Sequence, residues 1–186
     1  ITDFGAHHFD IVQWALGMDG SGPVRFHNGR AEFPPEGALY NTATSFSFEA
    51  DYPNGVRMIV EVADPNRGVG GIRFEGEQGR WIYCSRGVLE SHPEDIRRAS
   101  LGDQAVRLYE SNDHEANFID CIYTGRPTIC PAEVGHRSIT IAHLANILLR
   151  LHRTELKWDP AGEQIVGDDE AAAMLSRPMR APWSLV

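Results

Sequence analysis

The sequence predicts an α+β domain: a mainly antiparallel open sheet with helices packed on one face. Three observations carry that expectation. In the central part, residues 24–84, β-branched and aromatic residues alternate with polar ones, which is the period of half-buried strands. After Asp113 the period changes, and apolar residues recur at spacings of three and four, as on an amphipathic helix. The two patterns are also segregated along the chain, whereas strands alternating one by one with helices would signal a parallel, doubly wound sheet.

The elements follow in order. Over residues 3–16 the apolar Phe4, Phe9, Ile11, Val12 and Leu16 keep mostly helical spacing, and Gly17 with the stretch from Gly20 to Pro23 stops the helix. Strands are expected over residues 24–33, 42–52, 56–63, 71–76 and 80–84, together forming one sheet. Pro53-Asn54-Gly55 and Gly76-Glu77-Gln78-Gly79 read as hairpin connections. In the second strand Thr44, Phe46, Phe48 and Ala50 alternate with Ser45, Ser47 and Glu49, so one face is apolar and the other polar. Helices are expected over residues 114–124 and 132–152, with Phe118, Ile119 and Ile122 on the first and Ile139, Ile141, Leu144, Ile147, Leu148 and Leu151 on the second. A short strand around Leu156 to Trp158 and a helix over residues 168–175 complete the set, ahead of a Pro-rich tail from Arg177. No repeat or low-complexity tract interrupts the pattern, so residues 1–186 read as a single domain.

Composition narrows the function classes. A hydrophobic fraction of 42%, with no run of about twenty apolar residues, predicts a soluble protein and no membrane partner. The net charge of −9, spread along the chain, opposes binding to nucleic acid and to anionic surfaces, so a small molecule or a protein is the expected partner. Cys84, Cys121 and Cys130 cannot all pair and lack zinc-site spacing, which predicts buried thiols in a reducing compartment. The chain opens at Ile1 directly into a motif, with neither a start methionine nor a signal sequence, so it reads as part of a longer protein. Localisation is not legible here; a cytoplasmic setting is the working expectation.

The densest cluster of reactive groups lies in the first helix, at Asp3-Phe4-Gly5-Ala6-His7-His8-Phe9-Asp10. On a helix Asp3 and His7 project from one face, as do His7 and Asp10. A carboxylate within reach of an imidazole fixes its tautomer and raises its basicity, the arrangement wanted for proton transfer with a substrate hydroxyl. Gly5 leaves room beside them for a ligand or another backbone. Two simpler readings compete, a capping Asp3 and a solvated His7. Metal binding is the other chemical alternative, yet neighbouring histidines point about a hundred degrees apart, so His7 and His8 cannot both join the carboxylates at one site.

The stretch TDFGAHHFDIVQWALGMDGSGPV resembles the Asp-x-Gly-x-His-x-x-Asp segment that opens the second domain of the Gfo/Idh/MocA oxidoreductases. Near the other end, EVGHRSITIAHLANILLRLHRTELKWDP and VGDDEAAAMLSRPMRAPW are similar to the close of the family's longer sugar-acting members. The resemblance implies an α+β domain that follows a Rossmann domain binding NAD or NADP, with its sheet often serving as an oligomer interface. It implies that His7 is the acid/base on the hydroxyl being oxidised, that Asp3 orients it, and that the substrate is a sugar, polyol or sugar derivative. The family's catalytic lysine sits in a Glu-Lys-Pro motif that this chain lacks. It also lacks a GxGxxG turn after a strand; Gly68-Val69-Gly70-Gly71 precedes no helix. The cofactor, NAD or NADP, is therefore expected on the Rossmann half of the full-length protein, with none held by this chain.

Among other residues, Asp10 together with His136 and Arg137, at the start of the long helix, are candidate substrate contacts; a solvated first turn is the alternative for the latter two. Trp14 and Trp81 are expected in the core, His143 partly buried, and Asp168-Asp169-Glu170 at a helix start. Two further functions stay open. One is a non-catalytic oligomerisation or binding module, a homo-oligomer through the open sheet face. The other, drawn from the resemblance, is glycoside cleavage through transient sugar oxidation by a tightly held NAD.

Overall fold

The computed structural model describes residues 1–62 and 70–184. In chain order the elements begin with helix α1 (Phe4–Ala15) and strands β1 (Arg25–Glu32), β2 (Ser45–Asp51), β3 (Arg57–Glu61), β4 (Ile72–Glu75), β5 (Trp81–Ser85) and β6 (Val88–His92). Helices α2 (His114–Thr124) and α3 (Ala132–Arg150), strands β7 (Glu155–Asp159) and β8 (Gln164–Val166), and helix α4 (Asp169–Ala173) follow. The fold is α+β, and its strand pairs are antiparallel. Two units divide the chain, one from residues 1–62 and 137–186, the other from residues 63–136.

The expectation of a single sheet over residues 24–84 is corrected. The first unit holds a five-stranded sheet in the order β3-β2-β1-β7-β8, and the second holds a three-stranded one, β4-β5-β6. Periodicity identifies a strand but not its neighbour. The edge of β1 away from β2 needs a hydrogen-bonding partner, and β7 supplies it from far along the chain, with Arg25 opposite Lys157 and Phe26 opposite Leu156. Strands β6 and β8 were not expected: β6 is almost wholly exposed and so lacks alternation, and β8 has only 3 residues. The Ala63 end of the third expected strand, and Gly68 and Val69, lie outside the described residues.

In the five-stranded sheet the two faces differ as the pattern in β2 requires. Phe26, Phe48, Ala50, Met58, Leu156, Trp158 and Ile165 are buried on the inner face. There the Phe48 ring lies 6.1 Å from Phe9 of α1 and 6.3 Å from Phe26. Helix α3 adds Ile141, Leu144, Ala145 and Leu148, each nearly free of solvent contact. Its approach explains Gly29, where a Cβ would stand 2.8 Å from a Leu148 methyl. The strand register shifts at this point, between His27 and Arg30.

The outer face carries charges that hold one another. Arg57 donates to Asp51 at 2.7 Å, Arg25 pairs with Asp51 and Glu155, and buried His27 sets its Nε2 3.0 Å from Asp51. The Arg57 hydrogen bond, with the charge of His27 adding to it, holds the Asp51 carboxyl below the ordinary carboxylate range. Ile59 stands among these groups, 67% exposed.

In the second unit, β4 and β5 are joined through the expected turn, closed by a bond from the Gly76 amide to the Arg80 carbonyl at 2.8 Å. Trp81 is only half-buried, contrary to the core placement expected: Arg73 lies over its ring at 4.7 Å and His92 stacks beside it. Helix α2 has both of its boundaries set by sequence. Asp113 accepts from the Ala116 amide at 2.8 Å, and Gly125 takes the left-handed conformation at the other end. Its Phe118, Ile119 and Ile122 stay exposed rather than buried on a sheet. Of the three thiols, all free, only Cys121 is buried, and Cys130 is exposed. No helix among the described residues is long and apolar enough to cross a membrane.

Candidate active site on the first helix

Helix α1 forms where the apolar spacing demands it and ends where Gly17 adopts φ 65°. Its inward side buries Phe9, Val12 and Gln13. The fully buried Gln13 amide donates to the carbonyls of Met18 and Ser21 at 3.0 and 2.9 Å, which pins the loop leaving the helix. The outward side carries His7, Asp10 and Trp14, spaced three and four residues apart and all solvent-exposed, and Asp3, also exposed, immediately precedes the helix.

Asp3 occupies the N-cap position, yet its side chain makes no capping bond. The first turn is instead closed by backbone, from the Ala6 amide to the Asp3 carbonyl at 3.0 Å. The capping alternative for Asp3 is thereby removed, and Asp3 stands just before the helix with non-helical backbone, φ −95° and ψ −98°. Among the described residues no hydrogen bond or ion pair joins Asp3 to His7. His7 has the Phe4 ring beside it, centroids 6.5 Å apart, and Phe4 is itself exposed. His8 turns away and is partly buried; burial first, and the neighbouring His7 second, hold its imidazole below the ordinary range. The space beside Gly5 is filled by the ring of Phe9, to which a Cβ would come within 3.1 Å.

Asp10 accepts a hydrogen bond from the Ser138 hydroxyl of α3 at 2.7 Å, and Ser138 is 4% exposed. Sequence reasoning named Asp10 but missed Ser138. Its only signal was a small polar residue at the start of an apolar stripe. Arg137 is occupied: it donates to the Pro160 carbonyl at 2.6 Å and pairs with Glu163 at 3.0 Å, holding the turn between β7 and β8. His136 is exposed and stands two residues before Ser138, about 200° around the helix from it. Trp14, expected in the core, is 47% exposed at the far end of the polar stripe. His143, expected to be partly buried, is exposed. Asp168 caps α4 through the Ala171 amide at 3.0 Å and also binds Arg153, as the helix-start reading required.

Among the described residues no three His, Cys, Asp or Glu side chains converge as a metal site. A dinucleotide pyrophosphate needs a strand running through a Gly-rich turn into a helix N-terminus. No such unit occurs among the described residues, so they do not fit the nucleotide part of a nicotinamide cofactor. What the arrangement can do is polar chemistry on a hydroxylated molecule: a base at His7, carboxylates on either side of it, and aromatic rings at Phe4 and Trp14.

The chain was compared with known proteins. No curated protein matches it. The model of the oxidoreductase family's C-terminal alpha/beta domain, in the Gfo/Idh/MocA group, matches residues 1–185. With a match spanning nearly its whole length, the chain belongs to the Gfo/Idh/MocA oxidoreductase family, as the C-terminal α/β domain of such a protein.

Proposed function

We propose that this domain forms the substrate side of an NAD(P)-dependent oxidoreductase acting on a sugar, polyol or sugar derivative. His7 takes the proton from the carbinol being oxidised, or returns it in the reverse direction. Asp3 orients the imidazole, and Asp10 accepts from a second hydroxyl one turn further along. The observation that carries the reading is the exposed pair of His7 and Asp10 on a helix whose opposite side is locked into the core by Phe9, Val12 and Gln13, with exposed Asp3 at its start. A rigid helix holds such a constellation to the tolerance that proton transfer requires. NAD or NADP is assigned to a separate nucleotide-binding domain of the intact protein.

The test is turnover of a panel of aldohexoses, hexitols and myo-inositol by the intact protein with NAD+ and NADP+. His7→Ala is expected to lower kcat by about a hundred- to ten-thousand-fold while leaving the cofactor KM unchanged. Wild-type turnover by this variant would remove the assignment. A second role is favoured by the outer face of the five-stranded sheet, where Ile59 is exposed among paired charges. That face is proposed as a homo-oligomer contact; it is compatible with catalysis and separable from it.

A further inference from the structure

We infer that Ser138 is a positioning residue for this site, acting through Asp10. The inference rests on the proposed reading of the α1 stripe. The Ser138 hydroxyl is buried, while the carboxylate it holds belongs to an exposed residue. A serine inside a helix ordinarily bonds back to its own preceding turn or faces water. Here it reaches across to α1, at a distance of 2.7 Å that suits a hydroxyl donating to a charged acceptor.

The bond does two things for the stripe. It occupies Oδ1 of Asp10, which selects one rotamer of the carboxylate and leaves Oδ2 for a substrate hydroxyl. It also fixes the rotation of α1 about its own axis. The apolar contacts of Phe9 and Val12 tolerate small rotations because dispersion is not directional, whereas a short hydrogen bond is. His7 lies three residues from Asp10, roughly 4.5 Å along the axis, so the orientation of one sets that of the other. A polyol with its reacting hydroxyl at His7 then meets a carboxylate already aimed at a neighbouring hydroxyl. Ordering that side chain in advance removes an entropy cost from substrate binding.

The experiment compares four variants of the intact protein on the panel member with the highest kcat/KM: Ser138→Ala, Asp10→Asn, the double variant and His7→Ala. Ser138→Ala is expected to raise the substrate KM about tenfold, with kcat changed less and the cofactor KM unmoved. The double variant should lose no more than Asp10→Asn alone, because both changes sever one connection. A substrate KM within twofold of wild type for Ser138→Ala, or losses that multiply in the double variant, overturns the inference. If Ser138→Ala fails to fold, Asp10→Ala carries the test, and an unchanged substrate KM there overturns it equally. The two levels separate cleanly. Should His7→Ala keep full turnover, or no panel member react, the site reading itself falls; should His7→Ala be impaired and Ser138→Ala normal, only the positioning role does.

Discussion

Removing the Phe48 ring should unlock α1 from the sheet. Phe48 is 1% exposed and sits between the rings of Phe9 and Phe26, at 6.1 and 6.3 Å. Phe→Ala in a core costs about 3–5 kcal/mol, from lost transfer energy plus the cavity left behind. Phe48→Ala belongs near the middle of that range, about 4 kcal/mol, because its neighbours cannot collapse into the space. Ala50 and Phe26 are held by the sheet ladders, and buried Leu148, in the last turn of α3, is packed against Gly29 of β1. At about 1.4 kcal/mol per decade this is roughly a thousandfold in the opening equilibrium. Native-state amide exchange reads it locally, in α3 from Ile141 to Leu149 and in α1 around Phe9. Protection in both segments should fall together, while Phe48→Leu, which keeps most of the volume, should cost less than about 1.5 kcal/mol. A drop of less than tenfold for Phe48→Ala, or loss in α3 with α1 unaffected, would refute the idea that α1 rests on this ring.

Three further outcomes are expected. Because the Arg57 hydrogen bond depresses the folded pKa of Asp51, the stability it contributes is present above the unfolded value of about 3.9 and is lost as pH falls through the lower folded one. Thermal melts of wild type and Asp51→Asn should therefore differ at neutral pH and draw together as the pH falls below the unfolded value of about 3.9; a gap that stays constant to about pH 2 contradicts the assignment. Gly71→Ala would place a Cβ 2.6 Å from the Cys84 backbone carbonyl and 2.5 Å from the Tyr83 hydroxyl, so the β4–β5 pairing must shift. A cost of about 1–3 kcal/mol in urea denaturation is expected, and a neutral result counts against this packing. If the outer sheet face joins two copies, Ile59→Arg should convert the oligomer of the intact protein to monomer in sedimentation at micromolar concentration, and a wild-type protein that is already monomeric there ends that proposal.

Local chemistry made much of this molecule readable. Helix α2 takes the range that its apolar spacing predicted, and its ends are held within one turn by the Asp113 side chain and by Gly125 in the left-handed conformation. The hairpin at Pro53-Asn54-Gly55 was equally plain, since Gly55 takes the positive φ such a turn requires. Helical period placed His7 and Asp10 on one exposed side of α1, whereas Asp3 precedes the helix with non-helical backbone, which period does not foresee. Exposure was harder to read. Trp14 looks like a core residue by type, but it shares the outward face with His7, and helix phase overrides residue preference. Phe118, Ile119 and Ile122 form an apolar stripe of the right period that the described structure leaves uncovered, because period shows that a face exists and not what meets it.

By itself the sequence determined the class of fold, the order and approximate bounds of most elements, and the one helix that bears reactive groups. These depend on interactions between residues a few positions apart, where period, caps and turns act directly. Only the tertiary structure decided that the strands divide between two sheets, that β7 closes the open edge of β1, and that Arg137 holds a turn while Ser138 reaches Asp10. Each of those is a pairing across a long stretch of chain, 128 residues in the case of Ser138 and Asp10. Such a pairing is selected by which buried donors, acceptors and apolar faces can all be satisfied at once, a condition that no local stretch of sequence contains.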